Sequence, residues 1–234
     1  MIFQLGKKLI DFTPFILSFK LAFIVTVILL IISIPYAYFL SNTKSKIKPF
    51  LEAITALPIV LPPSVLGFYL LILLSPNSLI GSVFYDLFNI KLVFSFEGLV
   101  VASCIYSFPF MTQPIQSGFE SIPKSLIEAS YVSGKGKVTT LFRVILPNMK
   151  PFLLTAIVIT FAHTIGEFGV VLMIGGSIPG KTEVASVAIY NYVEMLDYKS
   201  AHIYSAIMLF ISFIVLFIVY FINYKIKRKV NDLY

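Results

Sequence analysis

The sequence predicts an all-α integral membrane protein of about five transmembrane helices, and three observations carry that prediction. Of the 234 residues, 58% are hydrophobic and only 12% are charged, whereas soluble domains carry about 25% charged residues. The apolar residues gather into five stretches, each near the roughly 20 residues that a helix needs to cross the hydrocarbon core. Basic residues then concentrate in alternate connections between those stretches. Spans this numerous leave little soluble mass, and residues 1–234 read as a single membrane domain. The one cysteine, Cys104, lies in an apolar stretch without an intrachain partner, so it reads as a small buried hydrophobe.

The first stretch runs from about 15 to 40. It follows Lys7, Lys8 and Lys20 but lacks a small-residue cleavage site, so a retained span is expected rather than a signal peptide. The second, about 52–74, contains Pro58, Pro62 and Pro63, and the third, about 98–117, contains Pro109 and Pro114. A proline within lipid frees a carbonyl that a neighbouring helix, a side chain or water must satisfy. Spans two and three are therefore expected either to border a pathway or simply to kink for packing. The fourth stretch is about 151–175 and the fifth about 202–224.

An odd number of spans puts the termini on opposite sides. Lys44, Lys46, Lys48, Lys124, Lys135, Lys137, Arg143, Lys150, Lys225, Lys227, Arg228 and Lys229 share one side; Lys7, Lys8, Lys20, Lys91, Lys181 and Lys199 share the other. The richer side is expected to be cytoplasmic, which puts the N-terminus outside and the C-terminus in the cytoplasm. Loops facing an anionic leaflet account for the net charge of +7, so no nucleic-acid partner is required. No internal repeat is visible, which gives no support to an inverted-repeat transporter.

The longest cytoplasmic connection, 118–150, carries its own short helix. Pro123 suits a first helical turn and Gly134 a left-handed stop, which predicts a helix of about 123–133, too short to span. Ile122, Leu126, Ala129 and Ser133 recur at three- and four-residue spacings and form a modest apolar stripe suited to a groove in another protein. The run Glu128-Ala129-Ser130, three residues, Gly134, nine residues, Val144, one residue, Leu146-Pro147 resembles the cytoplasmic signature of ABC-importer permeases. Ser130 stands where that family most often has alanine, and Val144 where it has isoleucine. The resemblance implies a coupling helix seated on an ATPase subunit, with Leu126, Glu128, Ala129, Ser130, Gly134, Val144, Leu146 and Pro147 forming the junction. Glu128 is expected to order the packing of helix and loop, because no second acid, nucleophile or metal cluster accompanies it.

Gly175-Gly-Ser-Ile-Pro-Gly180-Lys181-Thr182 fits a phosphate-binding loop formally. Such a loop needs a preceding strand and a second acidic motif for magnesium, whereas this run follows a span and faces away from cytoplasmic ATP. A helix exit and external turn are expected here. This chain is then expected to bind no cofactor, and ATP and Mg belong to a partner ATPase.

Ionisable residues within a span cost roughly 2.5–3.5 kcal/mol at its centre and usually face the bundle interior. His163 and Glu167, four apart in the fourth stretch, are expected on one helix face with Thr164 and Gly166 beside them. His163-Thr164-Ile165-Gly166-Glu167-Phe168-Gly169, followed by Gly175-Gly176, resembles the corresponding block of molybdate permeases. Leu61-Pro62-Pro63, Ser75-Pro76-Asn77 and Ala188-Ile189-Tyr190 resemble that family too. Sulfate permeases share the Gly-Glu-Phe/Tyr-Gly core but typically carry a basic residue where His163-Thr164 stands. Molybdate is thus favoured, with tungstate and sulfate as alternatives.

Pro62, Pro63, His163, Thr164, Gly166, Glu167 and Gly169 are the candidate pathway or gate residues. A carboxylate beside a dianion in low dielectric is repulsive, so Glu167 is expected in a structural or gating hydrogen bond. His163 either donates to a passing oxyanion or is satisfied between helices. The resemblance further implies type I ABC-importer architecture: a homodimer, two ABC ATPase subunits and an extracytoplasmic oxyanion-binding protein, working by alternating access in the lipid bilayer. An autonomous channel or scaffold would need no coupling signature. An intramembrane enzyme would need paired carboxylates, a serine–lysine dyad or a metal cluster at helical spacing, and none is visible.

Overall fold

The computed structural model describes residues 2–5 and 8–231, with side chains described from 11 to 221 except at 88 and 219. Two short strands, β1 (Ile2–Leu5) and β2 (Lys8–Asp11), pair antiparallel ahead of the helices, an element that the hydropathy pattern does not announce. Helix α1 (Thr13–Asn42) then runs 30 residues and carries Pro35 without a break. Asp11 receives both the backbone N–H and the hydroxyl of Thr13, which together hold its carboxyl below the usual range.

The second stretch is not one rod. Helices α2 (Lys48–Val60) and α3 (Pro63–Leu74) meet at a 110° bend, so the stretch expected as the second span, about 52–74, is broken where its prolines lie. The cause is Pro62-Pro63. Neither proline has an N–H to continue the ladder, and each disfavours helical backbone in the residue before it. Leu61 and Pro62 are accordingly extended, at ψ 135 and 136. Ser75–Ser78 then closes a turn into α4 (Leu79–Phe88), whose first turn Ser78 caps by accepting the Gly81 N–H at 2.9 Å. Helix α5 (Phe96–Ser121) is continuous, and Ser95 caps it on the Gly98 N–H.

The connection after α5 holds α6 (Lys124–Val132), α7 (Lys137–Thr140), a π-helical turn over Leu141–Ile145 and α8 (Leu146–Asn148). The chain then turns by 75° into α9 (Lys150–Gly166). The expected fourth span, 151–175, is interrupted as well: α9 stops at Gly166, and α10 (Gly169–Gly175) begins two residues after Glu167. Helices α11 (Ala185–Glu194) and α12 (Tyr198–Asn231) follow. By length and apolarity α1, α5 and α12 can each cross a membrane among the described residues, and the number reaches five if each bent pair counts as one span.

Helices α1, α5 and α9 form the centre of the bundle. Leu21, Val25 and Leu29 of α1 meet Leu99, Met111 and Ile115 of α5 and Ala156 of α9 in one buried cluster. Lipid is as apolar as leucine, so close packing and interhelical hydrogen bonds must do what the hydrophobic effect does in water. Thr112 accordingly donates to Ser33 at 3.0 Å in the interior, a bond of the kind that contributes about 0.6 kcal/mol. A second cluster joins the start of α1 to the far end of the chain. The Phe15 ring stacks on Tyr204 at 5.2 Å, Ser18 Oγ accepts the Ala185 N–H, and Tyr204 donates to the Asp11 carbonyl.

Candidate translocation cavity and coupling surface

The break between α9 and α10 opens a cavity of about 630 Å³, lined by Pro63 and Ser64 of α3, Tyr106 of α5, Ala162, His163 and Gly166 of α9, and Glu167, Phe168 and Gly169. Five of the expected pathway residues share this wall: Pro63, His163, Gly166, Glu167 and Gly169. Thr164 is buried behind it, and Pro62 sits at the N-cap of α3 outside it.

Glu167 departs from its expected setting in two ways. It lies beyond the end of α9 in extended backbone, φ −64 and ψ 130, so it does not stack with His163 along one helix. Its residue is 3% exposed, yet neither carboxylate oxygen has a hydrogen-bond partner among the described residues. The expected bond is made instead by its backbone carbonyl, which accepts from Ser186 Oγ at 2.6 Å. His163 is held firmly: its Nδ1 lies 2.9 Å from Ser107 Oγ, and its ring stacks on Phe110 at 4.0 Å and tilts against Tyr106 at 4.8 Å. Gly169 allows α10 to approach α3, because a Cβ there would stand 2.8 Å from the Pro63 Cβ.

A second cavity of about 340 Å³ lies between α2 and α5, lined by Glu52, Thr55, Ala56, Gln113, Gln116, Ser117 and Glu120. Tyr106, Gln113, Ser117 and Glu120 follow one another at spacings of seven, four and three, so both cavities open on one face of α5 over roughly 21 Å. Gln116 donates to Glu52 at 2.6 Å and to Glu120 at 3.1 Å, and Lys48 reaches Glu120 at 3.1 Å. The sequence reading missed these residues and the partners of His163. Their signal was present as amides, hydroxyls and an acid at helical spacing in an apolar stretch.

The short helix expected over 123–133 forms as α6. Gly134 takes φ +76, its N–H bonds the Tyr131 carbonyl at 2.9 Å, and the Lys135 N–H bonds the Ser130 carbonyl at 3.2 Å, which together close the helix end. Ser130 is also the bolt to the returning chain: its hydroxyl lies 2.9 Å from Thr140 Oγ1, with both residues buried. Glu128 is exposed and lines a cleft with Tyr38, Asn42, Phe119, Lys124 and Tyr131. Val144 falls in the π-helical turn, with Leu146 and Pro147 directly after it. Such turns occur frequently at functional sites. Leu126, Val132, Val138 and Phe142 stand exposed on this loop, Val132 at 89%.

The phosphate-loop look-alike resolves as a turn. Thr182 is buried and donates to the Gly175 carbonyl at 2.7 Å while accepting the Ile178 N–H at 3.2 Å, so its hydroxyl closes the loop on itself.

Broken helices that border an open cavity, together with a short capped helix presenting apolar side chains, are features of a membrane transport component. Residues 30–232 match the family described as binding-protein-dependent transport system inner membrane component, and the chain belongs to that family. It is 45% identical over 205 residues to the molybdenum transport system permease protein ModB of Azotobacter vinelandii, covering 88% of this chain and 91% of that one. It is 34% identical over 200 residues to a probable sulfate transport system permease protein cysT of Chlorella vulgaris, covering 86% and 75%. Among solved structures, an inward-facing MetNI methionine ABC transporter shares the fold with TM-score 0.69 at 17% identity, covering 89% of this chain and 92% of that one.

Proposed function

We propose that this chain is the permease subunit of an ATP-driven importer that carries molybdate across the cytoplasmic membrane by alternating access. The likeness to the Azotobacter permease, spread over nearly the full length of both chains, carries this reading. The oxyanion passes through the chamber at the α9–α10 break, at the level of His163 and Glu167. ATP and Mg reside on a separate ATPase, and the subunit forms a homodimer with two such ATPases. An extracytoplasmic oxyanion-binding protein delivers the substrate. The exposed apolar residues Leu126, Val132, Val138 and Phe142 support the ATPase contact, because such a patch outside lipid marks an interaction site. The N-terminus is external and the C-terminus cytoplasmic.

Uptake separates this from the sulfate reading. Cells that lose this chain are expected to lose high-affinity molybdate accumulation, measured as cell molybdenum, while sulfate uptake stays normal. Loss of sulfate uptake with normal molybdate would overturn the substrate assignment, and flux through the chain without ATP would overturn the importer.

A further inference from the structure

A line of hydroxyls behind the cavity wall fixes which nitrogen of His163 carries the proton. His163 Nδ1 lies 2.9 Å from Ser107 Oγ, Ser107 Oγ lies 3.0 Å from Thr164 Oγ1, and Thr164 Oγ1 lies 2.9 Å from the Thr160 carbonyl oxygen. Each hydroxyl has one proton to donate, and a carbonyl only accepts. Thr164 therefore donates to Thr160, and Ser107 donates to Thr164. The ring must supply the third proton, from Nδ1. The reverse order would leave the Thr164 and Thr160 oxygens facing each other at 2.9 Å with no proton between them. Ser107 and Thr164 are both buried, so bulk water does not compete for either hydroxyl.

We infer that neutral His163 is locked as the Nδ1–H tautomer and presents Nε2 to the cavity as a hydrogen-bond acceptor. Nε2 is not among the buried unpartnered atoms of the described residues, and its residue lines the chamber, with Phe110 and Tyr106 holding the ring plane. Whatever touches this nitrogen must donate. An oxyanion oxygen does not, but a water of its hydration shell does. The other titratable residues of the same wall are Tyr106 and Glu167. The oxyanion therefore passes His163 with water between ion and ring, a conclusion that rests on the chamber being the pathway.

The chain has two histidines, His163 and His202. Replacing the exposed His202 (His202→Gln) leaves one imidazole for ¹⁵N NMR in the complete transporter reconstituted in lipid. At neutral pH the expected pattern is a protonated Nδ1 and a bare Nε2. A protonated Nε2, with or without Nδ1–H, overturns the inference. Thr164→Val removes the acceptor of the Ser107 proton, which then turns to Nδ1, so the tautomer is expected to reverse. An unchanged pattern overturns the relay. Should that variant fail to fold, Ser107→Ala serves instead and is expected to give a mixture of tautomers, with a single unchanged tautomer counting against the relay. Adding molybdate during turnover is expected to shift the His163 signals while Nε2 stays bare. Uptake of a solvent proton at Nε2 on adding molybdate would mean a direct charged contact in place of the water-mediated one and overturn it. Signals unmoved by molybdate would leave the tautomer standing and overturn the pathway reading.

Discussion

Two glycines three residues apart in the His163–Gly169 block have different reasons to exist. A Cβ at Gly169 would press into Pro63 at 2.8 Å, whereas a Cβ at Gly166 meets nothing within 4 Å. Gly169→Ala is therefore expected to cost about 1–3 kcal/mol or to push α10 off α3. Gly166→Ala should stay within about 0.5 kcal/mol. Thermal unfolding of the two purified variants checks the contrast, and equal melting points would show that the α3–α10 approach is soft. The sequence marks both glycines alike, because a resemblance identifies a position without its neighbours. Glu167 shows the same limit. Its type flagged a buried ionisable group, but only the fold reveals that its carbonyl bonds Ser186 while its carboxylate bonds nothing described.

At the level of elements, the connection over 118–150 was the most legible part. Pro123 and Gly134 bracket α6 within a residue of expectation, because caps are local chemistry and do not wait for tertiary context. Gly134→Val is expected to cost about 1–2 kcal/mol through its positive φ alone, since nothing stands within 4 Å of the site. Transport and ATPase co-purification should both fall in protein that still inserts. Ser130→Ala leaves the buried Thr140 hydroxyl without its partner, a loss of about 1–3 kcal/mol, while the pair Ser130→Ala with Thr140→Val is expected to recover most of it. A double-mutant cycle on melting temperature measures that coupling, and additive losses would mean the bond contributes nothing. The apolar stretches were legible, but their course was not. Hydropathy reports how long an apolar stretch is, not which way it runs, so Pro62-Pro63 signalled a disturbance without the 110° turn, and the stop of α9 at Gly166 passed as continuous helix.

For the whole molecule, the loop-charge asymmetry predicts termini on opposite sides. Paired reporter fusions at residue 1 and residue 234 are expected to report an external N-terminus and a cytoplasmic C-terminus; both reporters on one side would remove a span from the count. The contact between Tyr204 and the Asp11 carbonyl, 193 residues apart in sequence, also bears on how the chain is made. Domains generally form from the N-terminus during synthesis, yet the N-terminal end of α1 meets Tyr204 of α12 at Phe15 and the Ala185 N–H of α11 at Ser18. That end of α1 thus waits for α12 to complete its packing. Until residue 204 has left the ribosome, that corner of the bundle remains an open seam.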